Sequence, residues 1–124
     1  IEGTLNTTKQ FLDATTSLPK TPRMIINIAS GAGLYGIPEM SIYSLTKAAL
    51  INFSQSLHQE LAGHNIDVIA ITPGSVDTSM FRNVFPDKTP HHTPQEVADV
   101  IIKTISGDIK PDDRMVVDGF IHER

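Results

Sequence analysis

Cysteine is absent from the 124-residue sequence, which excludes a disulfide framework and a thiolate metal site and suits a cytoplasmic protein. No run of Lys or Arg is dense enough to track a phosphate backbone, and the net charge is −4. Nucleic acid is therefore not an expected partner. Long hydrophobic runs are missing too: Asn, Ser or Gly breaks the longest candidates, so no segment reaches membrane-spanning length. The chain begins at Ile1, shows no signal-peptide pattern, and is expected to be a piece of something longer. Internal repeats and low-complexity tracts are also lacking. What remains is 40% hydrophobic and 19% charged, the balance of an ordinary globular protein with one sizeable core.

Three short β-branched runs stand out, Arg23 to Ala29, Ile66 to Ile71 and Arg114 to Asp118. Each is nearly continuous in Val, Ile or Met, as parallel strands buried on both faces require. Helical patterns lie between them. From Ile42 to Ala62, apolar residues recur at Ile42, Leu45, Ala49, Phe53, Leu57 and Leu61, the spacing of one helix face. Asn65 then tolerates the left-handed conformation that a helix exit often needs. A further helix opens at Thr93-Pro94-Gln95-Glu96, where threonine caps, proline fits the first position and glutamate closes a capping box. Val97, Val100, Ile101 and Ile105 form its expected buried face, and Gly107 its stop. Glu2 to Thr16 also reads as helix, and Phe85 to His92 as loop. This alternation implies an α/β fold with right-handed crossovers and a parallel sheet covered by helices on both faces.

Tyr43-Ser-Leu-Thr-Lys47 puts a phenol and an ammonium one helical turn apart, near a helix start. A free tyrosine ionises near pH ~10, so its phenolate costs about 4 kcal/mol to form at neutral pH. A neighbouring lysine charge favours the phenolate. Tyrosine can then take a proton from an alcohol or give one to a carbonyl. By spacing alone, such a pair usually marks a partly exposed helix face. Ser30 changes that reading. It ends the first apolar strand, at the sheet end where ligands bind, and its hydroxyl can hold a substrate oxygen as charge develops. Pro73-Gly74 follows the next strand at the same end, with Ser75-Val76-Asp77-Thr78 after it. A bare Pro-Gly otherwise marks only a turn.

Together these elements resemble the short-chain dehydrogenase/reductase family over nearly the whole chain. The family has a strand ending in a serine thirteen residues before a tyrosine, with a lysine four further on, and Ser30, Tyr43 and Lys47 repeat both intervals. The resemblance continues through Glu60-Leu61-Ala62, the strand Ile66 to Ile71, Pro73 to Thr78 and Met115-Val-Val-Asp-Gly119, which is similar to the family's last strand. It implies the C-terminal part of a Rossmann-like doubly wound parallel sheet, with residues 1–124 as the catalytic half of one domain. It also implies an NAD(P)-dependent oxidoreductase passing a hydride between nicotinamide and an alcohol or carbonyl substrate. On the family pattern Tyr43 is the acid/base, Lys47 holds the nicotinamide ribose and lowers the tyrosine pKa, and Ser30 positions the substrate oxygen. Pro73, Gly74 and Val76 line the nicotinamide and Thr78 touches the cofactor, NAD or NADP, as Tyr43 and Lys47 do. A homodimer or homotetramer is implied as well. Its interface would use the helices Glu2 to Thr16 and Ile42 to Ala62, with Phe11, Phe53 and Leu57 as apolar candidates.

The sequence departs from the family in places. Ala29 stands where many members have a second serine, Leu45-Thr46 replaces the usual Ala-Ser, and Asn65 replaces a common glycine. The family's catalytic asparagine would fall immediately upstream of Ile1, and its glycine-rich phosphate loop further upstream. Gly31-Ala-Gly33-Leu-Tyr-Gly36 matches G-x-G-x-x-G, but that fingerprint needs a helix starting inside the glycine run. Here Pro38 interrupts, and the helical pattern starts near Ser41 or Ile42, so the run is read as a substrate-side loop. Met80, Phe81, Val84 and Phe85 are read as a mobile apolar lid over substrate.

His91-His92 lack a carboxylate or cysteine at ligand spacing and, with His58, His64 and His122 scattered elsewhere, suggest solvated loop and no metal. Asn6-Thr7-Thr8 matches a glycosylation sequon inside an expected helix, a coincidence on this reading. Two other functions share the frame. One is a catalytically silent binding or regulatory protein, against which the intact Ser30, Tyr43 and Lys47 argue. The other is a sugar-nucleotide epimerase or dehydratase, which shares the Tyr-Lys pair; the Pro-Gly-x-Val-x-Thr segment and the short C-terminal region favour the simple dehydrogenase.

Overall fold

The computed structural model describes residues 1–18 and 21–118. Along the chain come helix α1 (Glu2–Thr15), strand β1 (Arg23–Ile28), helix α2 (Ser41–Glu60), strand β2 (Ile66–Thr72), a short helix α3 (Ser79–Val84), helix α4 (Pro94–Ser106) and strand β3 (Val116–Asp118). The strands form one parallel sheet in the order β1-β2-β3, with Arg23 opposite Ile66 and Ala70 opposite Val116. The central strand β2 is buried throughout except at Asp67. Strand β1 forms an edge and is half-buried over most of its length. No helix among the described residues is long and apolar enough to cross a membrane.

Alternation along the strands sends successive side chains to opposite faces. Ala29, Ala70 and Val116 meet Ile51 of α2, with Leu34 and Leu50 packed beside them. Ile69, Ile71 and Val117 point the other way, where Val100 and Ile101 of α4 cover them together with Met24, Ile26 and Ile109. Helices thus lie on both faces, as expected. The handedness does not follow. Both connections step the same way across the sheet, from β1 to β2 to β3, yet their helices cover opposite faces. The two crossovers therefore have opposite hands, which corrects the expectation that each would be right-handed. The rule holds where a strand feeds its helix directly. Between β2 and α4 the chain runs through residues 73–93, including α3, and that length lets it change face.

Several local readings hold. The Thr93 hydroxyl accepts the Glu96 N–H at 3.3 Å, and the Glu96 carboxylate accepts the Thr93 N–H at 2.6 Å, closing the capping box of α4. Gly107 stops that helix at φ 83, and Asn65 takes the left-handed conformation at φ 58.

Each expected helix face holds only in part: Leu57 of α2 is buried, and Val100 and Ile101 of α4 pack on the sheet. The buried residues of α2 are Ile51, Ser54 and Leu57, whereas Ile42 and Leu45 are 74% and 61% exposed and Ala49 is exposed as well. A polar pair turns the helix. Asn27 Nδ2 donates to Ser54 Oγ at 2.9 Å, and that hydroxyl donates to the Leu50 carbonyl at 2.8 Å, so a serine occupies a core position that a count of apolar residues passes over. In α4, Ile105 is 61% exposed, while Thr104 is buried and donates to the Val100 carbonyl at 2.8 Å.

Strand β3 starts at Val116 and not Arg114, because Asp112 gathers the N–H groups of Arg114 and Val116 into a turn with Met115 at φ 59. His92 is buried instead of solvated. Gly119 and His122 lie outside the described residues.

Candidate active site

Pairing between β1 and β2 continues past their carboxyl ends. The Ala29 N–H donates to the Ile71 carbonyl at 2.8 Å, and the Gly31 N–H to the Pro73 carbonyl at 3.1 Å. Ser30 and Pro73-Gly74 therefore stand side by side at one end of the sheet. Ser30 is extended, and its hydroxyl accepts the Ala32 N–H at 3.2 Å, capping a single 3-10 turn over Gly31–Gly33. That bond occupies a lone pair and leaves the hydroxyl hydrogen available to a substrate oxygen.

Helix α2 begins at Ser41 and carries Tyr43 and Lys47 in its first two turns. Lys47 Nζ lies 5.7 Å from the centroid of the Tyr43 ring, within reach of its electron-rich face. The same ammonium donates to the Ile28 carbonyl at 3.1 Å. Lysine thus links the helix start, the tyrosine and the end of the strand that leads into Ser30. Gly33 makes this closeness possible. A Cβ there would stand 2.7 Å from the Lys47 carbonyl carbon and 2.8 Å from both Ala48 N and Ile51 Cδ1. Tyr43 itself is 41% exposed.

The second wall starts at Pro73, which is buried, and Gly74, which is half-buried. From Ser75 the chain leaves the sheet and returns beside its point of departure. The Ser75 carbonyl accepts the N–H groups of His91 and His92, both at 3.0 Å, and the Asp77 N–H donates to the His92 carbonyl at 2.8 Å. Val76 pairs with His92 in parallel, and Ser75 Oγ lies 2.7 Å from His91 Nδ1. The segment read as a lid forms α3 within this excursion. Thr78 caps it by accepting the Phe81 N–H at 3.2 Å. Arg82 donates to both oxygens of Asp77, at 2.5 and 2.7 Å, and these hydrogen bonds hold the Asp77 carboxyl below the usual range. The Phe81 and Phe85 rings stand 5.4 Å apart, while Met80 and Val84 are exposed.

Among the described residues no three His, Cys, Asp or Glu side chains gather to hold a metal ion. Two clefts flank the sheet, one between α1 and β1 and one between β2 and α4. Neither contains Ser30, Tyr43 or Lys47; the second reaches Pro73. Ser30, Tyr43 and Lys47 lie at the open end of the strands, outside both. Ile28, Asn27 and Ser54 carry no site role in the sequence-based expectation, whereas Gly33 falls within the run read there as a substrate-side loop. The backbone carbonyl of Ile28 has no sequence signal, and Gly33 was visible only within the glycine run. Asn27 was detectable as a polar break in an apolar strand.

A family model of the short chain dehydrogenases matches residues 1–89. The chain belongs to the short-chain dehydrogenase family. An uncharacterized oxidoreductase of Staphylococcus aureus is 36% identical over 106 residues, which cover 86% of this chain and 45% of that protein. The 3-oxoacyl-[acyl-carrier-protein] reductase FabG of Thermotoga maritima is 35% identical over 89 residues, 63% of this chain and 36% of that one. Among solved structures, a short chain dehydrogenase from Burkholderia cenocepacia in complex with NADP superposes with a TM-score of 0.79 at 30% identity, covering 97% of this chain and 47% of that one. A 4-hydroxyisoleucine dehydrogenase mutant complexed with NADH and succinate gives a TM-score of 0.78 at 25% identity, over 96% of this chain and 54% of that one. This short-chain dehydrogenase chain therefore spans about half the length of the relatives it matches, and its parallel sheet with flanking helices is the Rossmann-like arrangement they share.

Proposed function

We propose that this chain is the C-terminal catalytic half of a cytoplasmic NAD(P)-dependent oxidoreductase acting on a small alcohol or carbonyl substrate. The observation that carries the reading is the position of Lys47. Its ammonium lies over the Tyr43 ring while bonded to the Ile28 carbonyl, one residue before the strand-end segment that leads into Ser30.

The residues present fit the nicotinamide end of a dinucleotide. An ammonium has three donors, so Lys47 keeps two for the ribose hydroxyls after binding Ile28. Gly74 presents no side chain against which a flat ring would clash. The Thr78 hydroxyl, which accepts from Phe81, can turn its hydrogen from the Val76 carbonyl, 3.4 Å away, to a cofactor oxygen. The solved relatives that hold NADP or NADH support the same choice of cofactor. The glycine run after Ser30 does not fit a pyrophosphate, because it forms a 3-10 turn and seats Gly33 on α2. In this reading the phosphate-binding loop belongs to the other half of the intact protein.

When bound, the nicotinamide gives or accepts the hydride. In reduction, Tyr43 gives its phenolic proton to the substrate oxygen and Ser30 donates a hydrogen bond to that oxygen. Lys47 stabilises the phenolate as it forms. Oxidation runs the same steps backward. The exposed stripe Ile42, Leu45 and Ala49 of α2 supports a homodimer or homotetramer through this face; Leu57 is withdrawn from it, being buried within the chain. The excursion carrying Met80, Phe81, Val84 and Phe85 covers the substrate. In the intact protein, Tyr43→Phe is expected to keep NADPH or NADH affinity and lose most turnover across a panel of ketones and alcohols. Near-normal turnover by that variant would refute the acid/base role.

A further inference from the structure

Asn27 and Ser54 form a polar contact inside an otherwise apolar layer. Asn27 is 9% exposed and Ser54 is fully enclosed. An apolar pair of similar volume would fill the same space without desolvating polar groups. The pair also sits in a telling place. Ser54 lies seven residues beyond Lys47, two turns further along the same face of α2. Asn27 directly precedes Ile28, whose carbonyl receives the Lys47 ammonium. Helix α2 is thus tied to β1 by two directional bonds, Lys47 Nζ to Ile28 O at 3.1 Å and Asn27 Nδ2 to Ser54 Oγ at 2.9 Å.

The surrounding contacts of Ala29, Ile51 and Ala70 are non-directional and tolerate a small slide of the helix along its axis. A hydrogen bond with a narrow range of distance and angle does not. Gly33 limits how closely α2 approaches the Ser30 turn, but among the described residues it makes no hydrogen bond to the helix that would fix a distance along its axis. Ser54 already has its own acceptor in the Leu50 carbonyl, so the helix has no internal need of Asn27.

We infer that Asn27 and Ser54 are positioning residues whose hydrogen bond fixes the axial register of α2 on β1 and so sets Lys47 on the Ile28 carbonyl beside Tyr43. The inference rests on the reading of Lys47 as the residue that holds the nicotinamide ribose.

The test uses the intact protein and the variants Asn27→Val, Ser54→Ala, Lys47→Ala and Asn27→Val/Lys47→Ala. Dissociation constants for NADPH and NADH are measured by the fluorescence of the reduced nicotinamide, well below each variant's unfolding midpoint. Asn27→Val and Ser54→Ala are each expected to weaken binding about 10-fold, the scale of a sub-ångström to ångström misplacement. The double variant is expected to bind no more weakly than Lys47→Ala alone, because Asn27 acts through the lysine. A crystal structure of Asn27→Val is expected to show Lys47 displaced from Ile28. Unchanged affinity with only a lower unfolding midpoint overturns the inference, as does full additivity in the double variant. If Asn27→Val fails to fold, Ser54→Ala carries the same comparisons. If Lys47→Ala binds both nucleotides like wild type, the ribose reading fails instead. The crystallographic position of Lys47 in Asn27→Val or Ser54→Ala then decides the register: displaced supports it, unmoved refutes it.

Discussion

Gly33 rests on the backbone of Lys47, leaving room for hydrogen and nothing larger, since a Cβ would meet the lysine carbonyl carbon at 2.7 Å. The obstacle is main chain inside a helix and cannot rotate away. Gly33→Ala is expected to push the Ser30 turn off α2, lowering stability by about 2 kcal/mol as overpacking does and lowering kcat/KM further by separating Ser30 from Tyr43. Denaturant midpoints and steady-state kinetics on the intact protein check both effects. Wild-type values in each would mean the turn yields freely.

Ile42 and Leu45 project from α2 into solvent at 74% and 61% exposure. If this face joins subunits, Leu45→Asp should reduce the assembly toward monomer while leaving the fold intact, because no intramolecular core contact is lost. Light scattering at micromolar concentration reads the mass. An unchanged oligomer would move the interface elsewhere.

The capping box of α4 offers a local test. Thr93→Ala removes the acceptor for the Glu96 N–H and one donor to the Glu96 carboxylate, and the expected cost is about 1 kcal/mol. Thr93→Ser should recover most of it. Equal losses in both variants would assign the effect to packing.

Three carboxyls are held below their ordinary range. Burial pushes Asp112 up, but the Val116 N–H, the Arg114 side chain and the Arg114 N–H together outweigh it. Thr93 holds Glu96 down through its N–H and hydroxyl, and Arg82 does the same for Asp77. A carboxyl depressed in the folded state adds stability that is complete above its unfolded pKa and disappears as pH falls through the folded one. The thermal midpoint should therefore stay level from neutral pH to about 5 and fall below about 4. Asp112→Asn should flatten that fall. An identical acid profile in this variant would show that its hydrogen bonds add nothing on folding.

Where structure depends on local chemistry, it was legible. Thr93, Pro94 and Glu96 announce a helix start, Asn65 a left-handed exit, and the β-branched runs a buried parallel sheet. Ser30, Tyr43 and Lys47 could be named as candidates because both of their intervals repeat the family pattern, which spacing alone would not have singled out. The orientation of α2 was not legible, since counting apolar residues favours Ile42 and Leu45 over Ser54. Only the distant partner Asn27 makes a serine a core residue. The hand of the crossovers was hidden for a similar reason: it depends on how residues 73–93 route the chain, and no short-range pattern encodes a route. The bond from Lys47 to Ile28 ends on a backbone carbonyl, which every residue has.

The excursion that holds α3 is tied at its base, where Ser75, Val76 and Asp77 pair with His91 and His92. Its ends are fixed before the intervening chain is considered. For a flexible segment, each doubling of length between fixed ends costs only about 0.6 kcal/mol in closure entropy. Insertions, deletions or exchange beyond Thr78, within residues 79–90, are therefore expected to reach the sheet and α2 chiefly through this base. The fold separates a base that must keep its geometry from an outer segment free to vary in length and composition, and on the proposed reading that segment is where substrate preference would change without rebuilding the sheet.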